Sequence, residues 1–147
     1  MKSRLLIAVV LMVVVSACTW RPDPDEHARD FFDEGHEMII KALKKQDATD
    51  PQLKAAEAVL AKYQPTLPGE IATVMRKQRD LFRAVATGQE SATLARREAE
   101  LHQAHEGTVR TIGRMHEEIG TAVGATTWKG AQAQLVHTAV AGEERLD

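Results

Sequence analysis

Apolar residues recur along most of this chain at intervals of three and four, the spacing that lines one face of an α-helix. Ala28, Phe31, Phe32, Gly35, Met38, Ile39, Ala42 and Leu43 share such a face and predict a first helix over about Pro24 to Gln46. Asp23 is a good N-cap, Pro24 suits the first helical position, and Asp25 and Glu26 favour the first turn. Lys41, Lys44 and Lys45 sit in the last turn, where the helix dipole prefers cations.

Leu53, Ala56, Leu60, Tyr63, Leu67, Ile71, Val74, Gln78, Leu81 and Val85 keep the same spacing. They predict one long helix that begins near Pro51, with Thr49 or Asp50 as cap, and ends at Gly88. The stripe runs straight through Pro65, Pro68 and Gly69, so a kink is expected over residues 64–69. A turn at that place would instead divide the helix and give five in all.

Ser91 can cap the next helix, from about Ala92 to Val123, whose seam is Leu94, Leu101, Val109, Ile112, Met115, Ile119 and Val123. A short final helix follows Thr127 and carries Ala131, Leu135 and Ala139, and Glu143 to Asp147 is a solvated tail. Connections this short make sequential helices antiparallel. The expected fold is all-α: an antiparallel hairpin of two long helices flanked by shorter ones, close to a four-helix bundle. An abundance of Ala, Glu, Lys, Arg and Gln agrees with it.

The first residues break the pattern. Lys2 and Arg4 precede an unbroken apolar run from Leu5 to Val15, the parts of a secretory signal. A spanning helix needs roughly 20 residues, so this run is too short for a permanent anchor. Val15-Ser16-Ala17-Cys18 resembles the bacterial lipobox, in which an apolar and two small residues precede a lipidated cysteine. Residues 1–17 are expected to be a removable signal peptide and Cys18 the lipid-bearing first residue of the mature protein. Cys18 is the only cysteine, so no internal disulfide can form. Two or more acyl chains hold a protein stably on a membrane, whereas one does so marginally. Thr19 follows where Asp would signal retention, which resembles sorting to the periplasmic face of the outer membrane. Residues 18–23 then form a short tether and 24–142 the helical domain.

Removing Lys2 and Arg4 with the signal lowers the basic count from 19 to 17 against 21 acids, a mature charge of −4. That balance does not suggest nucleic acid, which favours a basic patch. A nucleophile elbow, a phosphate-binding glycine loop and His-Glu-x-x-His are all missing from the sequence. No enzyme is therefore expected.

One cluster stands out as chemistry. Glu98, His102 and His105 share a helical face, and Glu98 and His105 interrupt the apolar seam. Folding the hairpin about Gly88 places Met75 and Gln78 across from them. Glu98, His102, His105 and Met75, joined by His36 as a possible further ligand, would suit Ni, Cu, Co or Zn. The bland alternative is a polar layer that fixes register. His27, His116 and His137 read as surface or packing residues, with His116 facing solvent. Haem is disfavoured: there is no Cys-x-x-Cys-His, and six aromatics make a poor pocket around an axial Met38 and His137.

The layout over residues 48–135 resembles the periplasmic heavy-metal-sensor and envelope-stress-chaperone family of the Spy and CpxP kind. Its members carry Leu-Thr-x-x-Gln at a helix start. Ala48-Thr49-Asp50-Pro51-Gln52 keeps the Thr and the Gln, and Thr126-Thr127-Trp128-Lys129-Gly130 keeps a Thr alone. Met75 to Leu81 and Ala99 to His102 look like the family's charged helices. The resemblance implies either metal binding that modulates an envelope sensor, or the holding of unfolded clients on a concave helical surface, often as a homodimer. The family's His-x-x-x-His and His-x-x-x-Met spacings do not occur here. A purely structural or assembly lipoprotein, binding another envelope protein through its hairpin, is the other expectation.

Overall fold

Several helix starts and stops have a local cause, though Ser91, expected as a cap, is the first helical residue and Glu90 stands before it without a capping bond. Asp23 caps α1 (Pro24–Lys44) by accepting a hydrogen bond from Asp25 N at 2.9 Å, with Pro24 just inside. Thr49 precedes α2 (Asp50–Tyr63), and its backbone N–H donates to Gln52 Oε1 at 2.8 Å. Pro68 lies in the first turn of α3 (Leu67–Ala86). Gly88, at φ +64°, ends α3: its N–H donates to Val85 O and that of Gln89 to Ala84 O, the paired bonds of a Schellman cap. α4 (Ser91–Val123) runs 33 residues, about 50 Å. α5 (Ala125–Glu143) follows after Gly124 alone, at φ +89°, a backbone few side chains tolerate.

The structure, a computed structural model, describes residues 23–143, with side chains to Thr138. The signal peptide predicted over 1–17, Cys18, the tether up to Arg21 and Pro22, and the tail beyond Glu143 lie outside the described residues. Among the described residues no helix is long and apolar enough to cross a membrane.

The chain is all-helical, as the spacing predicts. The kink expected near Pro65–Gly69 is a full interruption: residues 64–66 form a turn, and α2 and α3 are separate helices. Pro65 cannot donate a helical N–H and crowds the preceding turn. The long-hairpin register survives the break. Gln52 reaches Val123, Lys62 reaches Glu118, Glu70 reaches Thr111 and Lys77 reaches Glu100, so α2 and α3 follow one another antiparallel along α4. α1 lies on α3 and on α5, and α5 folds back beside α4. The final helix starts two residues before the predicted Thr127.

The core sits at one end of this rod. Ala28, Phe32, Ile39, Ala42 and Leu43 of α1 meet Ala56, Leu60 and Tyr63 of α2. Leu67, Ile71 and Ala72 of α3, Met115, Ile119 and Val123 of α4, and Trp128 and Ala131 of α5 complete it. Trp128 is seated on Gly120, where an added Cβ would come within 2.8 Å of the indole. The ion pair between Arg76 and Asp25, 2.7 Å, marks where the cover of α1 begins. Beyond it α3 and α4 continue together to Gly88 as a two-helix arm. No residue from Ser91 to Gly107 is fully buried, and of Lys77 to Ala86 only Ala84 is.

Candidate functional site: the arm and its concave face

The arm's open side has an apolar floor. Val74, Gln78, Phe82 and Val85 follow one face of α3 at spacings of four, four and three. This is the stripe that α3 uses for the core nearer its start. Past Arg76 no third helix covers it among the described residues, and Phe82 is 56% exposed and Val85 57% exposed. On α4 the corresponding residues are Leu94 and Leu101, both half-buried, with Arg97 between them. The Nε of Arg97 is shielded from solvent and lacks a hydrogen-bond partner, an unfavourable arrangement in a seam this thin.

Val74, Gln78, Ala95, Glu98, Ala99, Leu101, His102 and His105 line a shallow concavity of about 630 Å³ on this side. Three of the four principal ligand candidates, Glu98, His102 and His105, thus share one surface, and Gln78 faces them as the hairpin register predicts. Met75 does not line it; its side chain packs against the main core. His36 of α1 is half-buried and also absent from the lining. Glu98 is exposed, and the His102 side chain is 73% exposed, with its Nε2 3.3 Å from Glu106 Oε1. Among the described residues no three His, Cys, Asp or Glu side chains converge as a metal-binding group. The exposure has a plain cause: two helices alone bury little beyond a small residue such as Ala84, and no third helix covers the seam at Glu98 and His102 among the described residues.

Basic charge lies to one side of the apolar stripe. Arg79 and Arg83 are both exposed, one turn apart, on either side of Phe82 in sequence. Neither guanidinium has an ion-pair or hydrogen-bond partner among the described residues. Like charges at this spacing repel and weaken a helix slightly. Arg76 and Lys77 next to them are paired, to Asp25 and to Glu100 at 3.2 Å.

A second, larger groove of about 1510 Å³ runs along α4, with Glu70 and Thr73 of α3 and Trp128 and Gln132 of α5 in its walls. Thr111 Oγ1 donates to Glu70 Oε1 at 3.2 Å and accepts from Arg114 at 3.3 Å. Glu70 Oε2 is shielded and has no partner. At the far end His116 stacks edge-on against Trp128, ring centres 5.3 Å apart. The solvent-facing position expected for His116 is therefore corrected: it is half-buried, because α5 turns back at Gly124 and lays Trp128 beside it. Burial pushes its imidazole below the ordinary value of 6.5. Met38 and His137, weighed above as axial ligands, are both exposed on different helices.

Sequence reasoning missed Phe82, Arg79 and Arg83 as surface features and Glu70 as a groove residue. The spacing of Arg79, Phe82 and Arg83 is visible in the sequence, but the point at which α1 stops covering α3 is not.

Thr49 and Gln52, which carry the family resemblance, have a structural task here. Gln52 Oε1 accepts from Thr49 N and Oγ1, and Gln52 Nε2 donates to Val123 O, tying the start of α2 to the end of α4. No protein-family model, curated protein or solved structure matches this chain.

Proposed function

We propose that this chain is a lipid-anchored protein of the bacterial envelope that works by binding another protein through the α3–α4 arm, as a stress chaperone or sensor modulator does. The observation that carries the reading is the arm's uncovered face, where Phe82 and Val85 continue the core stripe of α3 into solvent. Large apolar residues left exposed side by side on one helix face are a mark of interaction surfaces. The lipobox-like Val15 to Cys18 supports the anchor. Cys18 precedes Asp23 by five residues, a reach of under about 20 Å. Asp23 and Asp25 lie at the root of the arm, so the anchor would keep the arm near the membrane.

A photo-cross-linking residue placed at Phe82 of the full chain in its native cells tests the reading, with Glu57, exposed on α2, as control position. Discrete adducts from position 82 that position 57 does not form are expected. No adduct, or the same adducts from both, would overturn it. A role in assembly without client release is the alternative within the same reading, separated by whether adducts persist after stress is removed.

A metal reading draws on a different observation, the placement of Glu98, His102 and His105 around one concavity. Calorimetric titration of the full chain with Ni, Cu, Co and Zn salts tests it, beside a His102→Ala/His105→Ala double variant. Binding at micromolar or tighter affinity that the variant loses would support it; unchanged or absent binding would remove it.

A further inference from the structure

From its charge and shape we infer that the arm's open face takes an acidic amphipathic helix. The inference rests on the arm being the binding element and names the chemistry of its partner.

The shape argument comes from the molecule itself. At the core end another helix, α1, lies on α3 and α2, and its Phe32, Ile39 and Leu43 join the residues of α3 and α4 in the common core. Past Arg76 α3 and α4 continue side by side, and no other helix covers them among the described residues. Val74, Leu101 and Ala99 line the concavity there with Glu98 on its rim, and the exposed Phe82 and Val85 follow on the same face of α3. A surface left open where a helix would continue is complementary to a helix, and an apolar stripe at three-four spacing on the occupant would meet it.

The charge argument selects the occupant. From Arg76 to His105 there are six basic residues, Arg76, Lys77, Arg79, Arg83, Arg96 and Arg97. Against them stand four acids, Asp80, Glu90, Glu98 and Glu100. Internal ion pairs use Arg76 and Lys77, which leaves Arg79 and Arg83 exposed near Phe82 without carboxylate partners among the described residues. Carboxylates flanking the apolar stripe of an incoming helix would neutralise both and relieve their mutual repulsion. Two copies of the arm would bring four such arginines together, which disfavours a second arm as the occupant.

The test uses the full chain in phosphatidylcholine nanodiscs, with empty discs subtracted. The probes are two fluorescent peptides of about 18 residues, five helical turns. One has a Leu stripe flanked by Glu, the other the same stripe flanked by Lys. At low salt the Glu peptide is expected to bind at least ~10-fold tighter, with the preference shrinking as salt screens it. Arg79→Glu/Arg83→Glu should reverse the preference. Phe82→Ser/Val85→Ser should weaken both peptides. All four side chains are exposed, so the variants leave the core untouched. Equal binding of the two peptides, or variants without effect, would overturn the inference. So would a dimer in sedimentation that Phe82→Ser/Val85→Ser dissolves, which would make a second copy the occupant. Cross-linking from position 82 with no preference for the Glu peptide would leave the arm reading standing and remove the acidic partner alone. Failure of both would remove both.

Discussion

Helix α4 lives in two environments. From Thr108 to Val123 it contributes Met115, Ile119 and Val123 to a core shared with all four other helices, and Thr108 and Thr111 are buried beside them. From Ser91 to Gly107 nothing is fully buried, and its inter-helix ion pair is the exposed Lys77–Glu100 contact. A helical stripe runs through both halves, but the arm half has only Leu94 and Leu101 as large apolar residues, with Arg97, Glu98 and His105 between and beyond them. The result is a bundle at one end and a thin arm at the other. The number of helices at hand to cover the stripe differs as well, and helix stability in proteins comes mainly from such packing.

The largest expected effect tests that contrast directly. Leu60→Ala, at a site with 1% exposure, should cost about 2–5 kcal/mol in urea unfolding. Leu101→Ala in the half-buried arm should cost under about 1.5 kcal/mol, since less area is removed from water. Equal costs would break the comparison.

Two glycines of α4 sharpen it. Gly120→Ala would press a methyl into Trp128, and a loss of about 1–3 kcal/mol is expected, with a changed indole fluorescence. At Gly107, by the root of the arm, an added Cβ meets nothing within 4 Å. Gly107→Ala should stabilise by about 0.5–1 kcal/mol through helix propensity.

Hydrogen exchange reads the same difference without mutation. Amides of residues 95–105 should exchange at least ~10-fold faster than those of 112–122 in the same helix, through sub-global opening of the arm. Uniform protection along α4 would show the arm to be as well held as the bundle.

Gln52→Ala removes both the bond to Thr49 and the tie to Val123, and about 1 kcal/mol should be lost in urea unfolding. Much of the fold was legible at this level. Asp23, Pro24, Thr49 and Gly88 mark helix ends in the sequence because caps satisfy backbone groups within a few residues. The candidate site was legible only in part. Glu98, His102 and His105 could be placed on one face from spacing, but Met75 turned to the core and His116 was claimed by Trp128. Both outcomes depend on helices far away in sequence.

The smallest effects concern pH. Hydrogen bonds from Lys62 and then Tyr63 hold the Glu118 carboxyl below its ordinary value of 4.5. A carboxyl lowered on folding stabilises above its unfolded value, and that contribution is lost as pH falls through the folded value. Glu118→Gln should therefore melt below the parent at pH 7 and converge with it well below pH 4.5. His116 acts in a higher window. Its imidazole is lowered by burial, so its contribution is complete above 6.5 and drains as pH falls below that. His116→Gln should flatten the decline in melting temperature from pH 7 to 5.

The sequence by itself determined the all-helical class, the caps at Asp23, Thr49 and Gly88 and the apolar stripe, because each is fixed by residues within one or two turns of one another. The break at residues 64–66, the helix start at Ser91 with Glu90 before it, and the 19-residue length of the last helix came out differently from the spacing. The tertiary structure alone decided where the stripe is buried. Burial depends on the reach of α1 along α3, which stops at the Asp25–Arg76 pair, and on α5 turning back at Gly124. Beyond that reach the same spacing that builds the core leaves Phe82 and Val85 open to a partner.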